Sequence, residues 1–372
     1  MNADAISRQM KIALSMFKKL NLSTAREAIA RAGGLDRFFS MSDAEMAAAG
    51  IGADAFGMSR RRALMKDAGA EMAFAANSHI DTLFCLDEDY PRRLALCDDA
   101  PVLLYRLGSC NLDSAHMVAI VGTRHATAQG VDFTRRFVAD LAAKIPDLVI
   151  VSGLAYGIDI AAHRAALDAG VPTVAVVAHG LDSIYPSAHR QSAAEIVRSG
   201  GAIVTEYPSG TAIMKPYFLA RNRIVAGLCD CTVVVESAAH GGALATARIA
   251  SDYNRDVFAV PGRLSDPYSA GTNRLIASRT ASLLPDADFL IQAMGWTPAA
   301  APANEEPRLF RPVSDEEQRL LDIVAANPTF TSADIAAALA LPYARVADML
   351  FRMEMDDMLI SIPGGRYALP NY

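Results

Sequence analysis

Six short runs between residues 117 and 262 restrict this chain more than any other feature: VAIVG, LVIVSG, TVAVVAHG, AIVTE, TVVVES and DVFAVPG. Each is continuously apolar, rich in Val and Ile, and each stops at Gly, Ser, Glu or Pro. A strand with one wet face alternates apolar with polar residues, whereas an unbroken apolar strand is covered on both faces. Helical periodicity fills most of the intervals, over 127–144, 158–169, 187–199, 217–227 and 242–253. Strands and helices in alternation predict an α/β domain with a doubly wound parallel sheet.

The flanks have other patterns. Residues 1–75 are rich in Ala and Met, with helical periodicity broken at Gly33-Gly34, Gly50, Gly52 and Gly57; this predicts a small domain of four or five short helices. A connecting segment follows, and DEDYPRRLALCDDAPVLLYRLG (87–108) ends in a short strand at Val102–Arg106. Residues 297–313 carry four prolines and read as a linker between a 76–296 core and a 314–372 tail. The tail predicts helices at 314–326, 331–339 and 342–357, then a hairpin turning at Gly364-Gly365, which is the winged-helix pattern.

Composition narrows the class. With 52% hydrophobic residues the chain folds, yet it has no uncharged apolar run of membrane-spanning length. Its start, MNADAISRQMK, lacks a basic region followed by an apolar core, so no export signal is expected. Five cysteines (Cys85, Cys97, Cys110, Cys229, Cys231) make no CxxC pair and no even disulfide framework. Buried thiols, a reducing cytoplasm, no membrane, no cofactor and no metal site are the expectation. A net charge of −6 argues against nonspecific coating of duplex nucleic acid but not against a local cationic groove. Residues 116–296 hold 15 basic and 15 acidic residues, whereas 314–372 hold 4 basic and 9 acidic. Anion binding therefore points to the centre. The third tail helix, with two arginines against four acids, suits a protein partner better than duplex DNA.

In open α/β sheets ligands bind beyond the carboxyl ends of the strands. The first such loop, VGTRHATAQG (121–130), lacks GxGxxG; Gly122, Thr123 and Arg124 ahead of a helix suit a single phosphate, or else a tight turn with Arg124 paired to a carboxylate. In SGLAYGIDIAAH (152–163), Ser152 and Gly153 are candidate anion donors. Asp159 and His163 lie four apart, and a structural Asp–His bond is the favoured reading over an acid/base pair. The third loop leads through Lys215 into a helix whose start carries Phe218, Arg221 and Asn222 on one face. A ring beside cations and an amide suits single-stranded nucleic acid, the ring stacking on a base and the cations following phosphates. Arg223 is expected in an ion pair; the alternative buries Phe218 and pairs the arginines with Glu206 and Glu236. The fourth loop brings Gly241-Gly242 to a helix start, with Ser237 and Thr246 as further polar groups. Trp296 is expected to pack. Without a nucleophile–base pair or metal cluster, the set predicts a polyanion holder and not an enzyme.

In this order the blocks YPRRL…DDAPVLLYRLG, VAIVGTRHAT, SGLAYGIDIAAHRAAL, GLDSIYPSAH, TEYPSGT…FLARNRIVAGL, VVVESAAHGGALATARIA and VFAVPG…SAGTNRLI resemble the DNA-processing protein A family (DprA, also called Smf). The likeness covers residues 80–292 closely. It implies a Rossmann-like core that binds single-stranded DNA, commonly as a homodimer through that core, and helps load RecA recombinase onto it during natural transformation. It also implies an N-terminal domain of the SAM or helix-hairpin-helix kind and a winged-helix tail. By motif, Arg124, Lys215, Phe218, Arg221 and Asn222 correspond to the DNA-contacting set, with Gly122, Thr123, Ser152, Gly153, Gly241 and Gly242 as partners. The family pattern has Pro where Leu219 follows Phe218, and its last block continues to a Gly-Ala pair where this chain reads Ala277-Ser278-Arg279-Thr280. Two competing functions are a nucleotide-hydrolysing N-glycosidase or phosphoribohydrolase, with Glu236 its nearest carboxylate, and a pure protein adaptor.

Overall fold

The computed structural model describes residues 3–17, 20–299, 313–327, 329–356, 358–362 and 364–369; most of the expected 297–313 linker lies outside them. The chain divides into two compact units, residues 1–299 and 300–372.

The first unit is built on one nine-stranded sheet. Its strands are β1 (Asp81–Phe84), β2 (Leu103–Gly108), β3 (His116–Val121), β4 (Leu148–Ser152), β5 (Thr173–Val176), β6 (Ala202–Thr205), β7 (Cys231–Val234), β8 (Asp256–Ala259) and β9 (Ser282–Leu283). They lie in the order β1-β2-β6-β5-β4-β3-β7-β8-β9. From β6 across to β9 neighbours are parallel, while β1 and β2 add an antiparallel edge. The chain winds outward from β3 one way through β4, β5 and β6, then returns to start again at β7. The switch in direction lies between β3 and β7. Strands β1 and β9, of four and two residues, are too short to carry a sequence pattern of their own.

Helices α1 (Ala3–Ser15), α2 (Leu22–Ala32), α3 (Leu35–Ser40), α4 (Asp43–Ala48), α5 (Ala53–Phe56) and α6 (Met58–Asn77) precede the sheet. Within and around it come α7 (Arg92–Ala95), α8 (Ala128–Lys144), α9 (Ile158–Asp168), α10 (Arg190–Arg198), α11 (Lys215–Leu228), α12 (Gly242–Asp252), α13 (Ala270–Ala277) and α14 (Ala287–Ala293). The expectation of four or five short N-terminal helices gives way to six, the last of them 20 residues long.

Strand alternation sorts the core into two layers. Met117, Ala119, Val121, Val149, Val151, Val174 and Val176 face α11, α12 and part of the N-terminal helices. Val118, Ile120, Ile150, Cys231, Val233 and Phe258 face α8, α9 and α14. Continuous apolar strands follow directly from burial on both sides. The N-terminal helices share the first of these cores through Leu14, Phe17, Leu22 and Phe38. There the buried guanidinium of Arg61 donates to the carbonyls of Phe56, Phe38 and Met41 at 2.7, 2.6 and 2.7 Å, satisfying acceptors that short helices leave open. All five cysteines are buried free thiols. Trp296 packs edge-on against His116, with centroids 4.8 Å apart.

In the second unit α15 (Asp315–Ala326), α16 (Ser332–Leu339) and α17 (Tyr343–Met355) close on a core of Leu320, Val324, Ile335, Val346 and Leu350, followed by the hairpin β10 (Ile360–Ile362) and β11 (Arg366–Ala368). This is the expected winged helix. Both arginines of α17 are paired, Arg345 with Glu316 at 2.7 Å and Arg352 with Asp348 at 2.5 Å. No helix among the described residues is long and apolar enough to cross a membrane.

Candidate nucleic-acid interface

At the carboxyl end of the sheet, over the β3–β7 switch, lies a cavity of about 560 Å³. Topology puts it there, because the connections of β3 and β7 leave on opposite sides and open a crevice between them. Of the residues expected to bind, Gly122, Thr123, Arg124, Lys215, Phe218, Arg221, Asn222, Gly241 and Gly242 all line it.

The loop after β3 is laced to the loop after β7. Thr123 donates its backbone N–H to the Glu236 carbonyl at 2.8 Å, and the Glu236 carboxylate accepts from the Thr127 N–H at 2.9 Å and from the Thr127 hydroxyl. Thr127 in turn caps α8 by accepting from the Gly130 N–H at 3.0 Å. Glu236 is thus a 7% exposed structural acid engaged on both oxygens, not a carboxylate poised in the crevice. Gly122 admits no side chain here, since a Cβ would stand 2.5 Å from Ile158. Gly157, at φ +77°, serves the same loop: a Cβ there would meet the Thr123 carbonyl at 2.1 Å. These approaches push Arg124 outward. It is exposed, and its guanidinium carbon sits 5.6 Å from the centroid of the Phe218 ring.

Helix α11 begins at Lys215 itself rather than after it, with Pro216 fixing the first turn. Ile224, Val225 and Leu228 bury its far end against the sheet, while Phe218, half-buried, and Leu219, 53% exposed, stay at the cavity. Phe218 therefore does not belong to the core. Neither Lys215 nor Arg124 enters an ion pair among the described residues. Arg223 pairs with Glu206 as expected.

Arg221 departs from expectation. It is 4% exposed and donates to the Gly153 carbonyl at 2.6 Å and to the Val176 carbonyl, tying the ends of β4 and β5 together. Burial pushes its guanidinium below its ordinary value, and nearby Asp159 opposes that shift; burial raises Asp159, with Arg221 opposing. Arg221 forms the floor of the cavity and holds its shape. Gly153 is required beneath it, because a Cβ would meet the guanidinium at 2.5 Å. Ser152 is fully buried and donates to the Ile120 carbonyl at 2.6 Å, so its hydroxyl is not offered to an anion.

The expected Asp159–His163 bond is also absent. Thr173 gives its hydroxyl proton to the Ile150 carbonyl at 2.7 Å, so it accepts from His163 Nδ1–H at 2.7 Å, and Nε2 is left bare in the core. Thr246 bonds back to the Gly242 carbonyl within its own helix. Sequence reasoning missed that Asp159, 62 positions from Arg221, lies buried near enough to oppose the shift of its guanidinium, a relation made only by the fold. It also missed Glu71 of α6, which accepts the Ser209 N–H at 3.0 Å and the Ser209 hydroxyl, fixing the loop that leads into Lys215. Tyr185 and His240 also line the cavity. Among the described residues no three His, Cys, Asp or Glu side chains gather as metal ligands.

The model for DNA recombination-mediator protein A matches residues 81–295, and the DprA winged helix domain matches 299–365. The DNA processing protein DprA of Streptococcus pneumoniae is 42% identical over 191 residues, 51% of this chain and 66% of that protein. Protein Smf of Escherichia coli is 32% identical over 285 residues, 76% of this chain and 75% of that protein. Among solved structures, the Streptococcus pneumoniae DprA superposes with a TM-score of 0.62 at 31% identity, over 78% of this chain and 98% of that one. The DNA processing protein A of Helicobacter pylori, studied for its single-stranded DNA binding mode, gives 0.52 at 33% identity over 58% and 95%. With a family model over more than half its length and 32% identity to Smf over 76% of it, the chain belongs to the DNA recombination-mediator protein A (DprA/Smf) family of DNA-processing proteins.

Proposed function

We propose that this protein binds single-stranded DNA in the cavity at the β3–β7 switch and hands it to RecA recombinase during natural transformation, acting as a homodimer through the Rossmann-like core. One observation carries the binding: a half-buried ring, Phe218, lines a cavity with Arg124 over it and Lys215 in the same lining, two cations that no acid among the described residues pairs with. A base stacks on the ring, phosphates meet the cations, and Asn222 and the Gly241-Gly242 backbone supply neutral donors. The binding of single-stranded DNA by the Helicobacter pylori relative supports the same ligand here. RecA delivery and dimerisation rest on the family resemblance. The paired arginines of α17 favour a protein partner over duplex DNA for the winged helix.

The test is anisotropy of labelled single- and double-stranded oligonucleotides across salt concentrations. Wild type should prefer the single strand. Lys215→Ala should weaken every sequence alike and lower the slope of log K against log salt by about 0.7, the contribution of one phosphate on a single strand. Equal affinity for both strands, or an unchanged slope, refutes the placement. For the RecA step, filament assembly on strands already covered by single-strand-binding protein should quicken when this protein is added. The N-glycosidase alternative predicts release of base from nucleoside monophosphates; the engagement of Glu236 by Thr127 argues against it.

A further inference from the structure

Phe218 is not the last exposed ring at the cavity. Tyr185, 42% exposed, lies with its centroid 5.7 Å from that of Phe218, the planes at 57°. Tyr156, 47% exposed, comes next, and Arg124, Phe218, Tyr185, Pro186 and Tyr156 share one small recess beside the main cavity. That recess, about 30 Å³, is far too small to admit a base, so whatever meets these rings lies across them. No aromatic ring beyond Phe218 and Tyr185, apart from the imidazole of His240, lines the main cavity.

Both tyrosines are held from behind. The Tyr185 N–H donates to Nε2 of buried His179 at 3.1 Å, while His179 Nδ1 is bonded to the Gly180 carbonyl at 2.8 Å. That pair of bonds fixes the tautomer and anchors the loop. Tyr156 packs edge-on against His189, with centroids 4.8 Å apart, and His189 Nδ1 is bonded to the Leu154 carbonyl at 2.8 Å. Neither tyrosine hydroxyl bonds to another described residue. Scattered exposed aromatics are ordinary on a protein surface. Here Tyr185 packs on Phe218 beside the Arg124 guanidinium, and each tyrosine rests against a buried histidine.

We propose that Tyr185 and Tyr156 continue Phe218 as a base-stacking wall, over which the bound strand leaves the cavity. This rests on reading the cavity as the single-strand site. The planes of the first two rings meet at 57°, so bases lying flat on both cannot be parallel and do not stack on each other. The wall thus selects an unstacked strand, and its contribution depends on bases rather than phosphates.

The experiment compares binding of an oligothymidylate and an abasic strand of equal length by wild type, Tyr185→Ala, Tyr156→Ala, Tyr185→Phe, Tyr156→Phe, Phe218→Ala and Lys215→Ala, each checked for folding by thermal melting. Tyr185→Ala should weaken the oligothymidylate roughly five- to hundred-fold and Tyr156→Ala in the same sense, with the Phe variants near wild type. On the abasic strand the tyrosine changes should have no effect, whereas Lys215→Ala still weakens binding. Wild-type affinity in both alanine variants, with Phe218→Ala and Lys215→Ala impaired, overturns the wall and leaves the site reading intact. Equal losses on the abasic strand overturn it too. Wild-type affinity in all four alanine variants sinks the site reading, and the wall with it.

Discussion

The guanidinium of Arg124 lies over the Phe218 ring at 5.6 Å from its centroid, although 94 positions separate the two in the chain. The contact places a cation and a π-face at one spot, so a nucleotide can present base and phosphate to neighbouring groups. Phe218→Ala removes the stacking surface and also leaves Arg124 without its rest. Single-strand affinity should fall by about 1–3 kcal/mol, and Arg124→Ala should cause a smaller loss that shrinks as salt rises. Anisotropy titrations at two ionic strengths check this; a Phe218→Ala loss confined to low salt would show that the ring does not stack.

Arg221 separates architecture from contact. Its buried guanidinium donates to two carbonyls, so Arg221→Met leaves both acceptors without that donor. Leaving a buried acceptor unsatisfied costs about 1–3 kcal/mol. Urea denaturation should show that loss of stability for Arg221→Met and almost none for Lys215→Ala, although both lose DNA. Wild-type stability in Arg221→Met would mean that the side chain acts at the ligand after all.

Much of this was legible because period and punctuation are local. Val- and Ile-rich runs ending in Gly or Ser announced the parallel strands, and Phe218, Arg221 and Asn222 at three- and four-residue spacing announced one helix face. That spacing did not tell how deep each residue sits. Arg221 and Phe218 share a face, yet Arg221 is 4% exposed and Phe218 lies half-buried at the rim, because the neighbouring strand ends supply carbonyls just where the longer side chain reaches. The His163 partner was misread for a related reason: Thr173 opens the interior strand β5 under α9, while Asp159 is only a polar neighbour along the helix. Glu71 was invisible, since its role depends on α6 packing beside a loop 138 positions on.

That last tie carries a consequence for binding. Glu71 is 5% exposed and holds Ser209 at both its N–H and hydroxyl, so the segment entering Lys215 is fixed before DNA arrives. Glu71→Ala frees the loop, and the ordering cost then falls on the binding step, about 0.5–1.5 kcal/mol per immobilised side chain. Affinity should drop several-fold through a slower association or faster release, with every direct contact retained. Stopped-flow kinetics would detect it; rates equal to wild type would show that the loop is ordered by other means.

His163 sets an acid limit. Burial pushes its imidazole down to about 3, with Arg221 and His189 adding to the shift, whereas in the unfolded chain it titrates near 6.5. The folded state therefore holds fewer protons between these values. Its stability from this group is complete above about pH 6.5 and is lost as pH falls toward 3, at about 1.4 kcal/mol per pH unit. His163→Gln retains a donor for Thr173 and does not titrate. Other groups contribute to acid unfolding in both proteins, so the difference between them isolates His163. Urea midpoints at pH 7, 6 and 5 should decline more steeply in wild type than in His163→Gln. Parallel declines would mean that water or a rearranged Thr173 reaches Nε2 and relieves the burial.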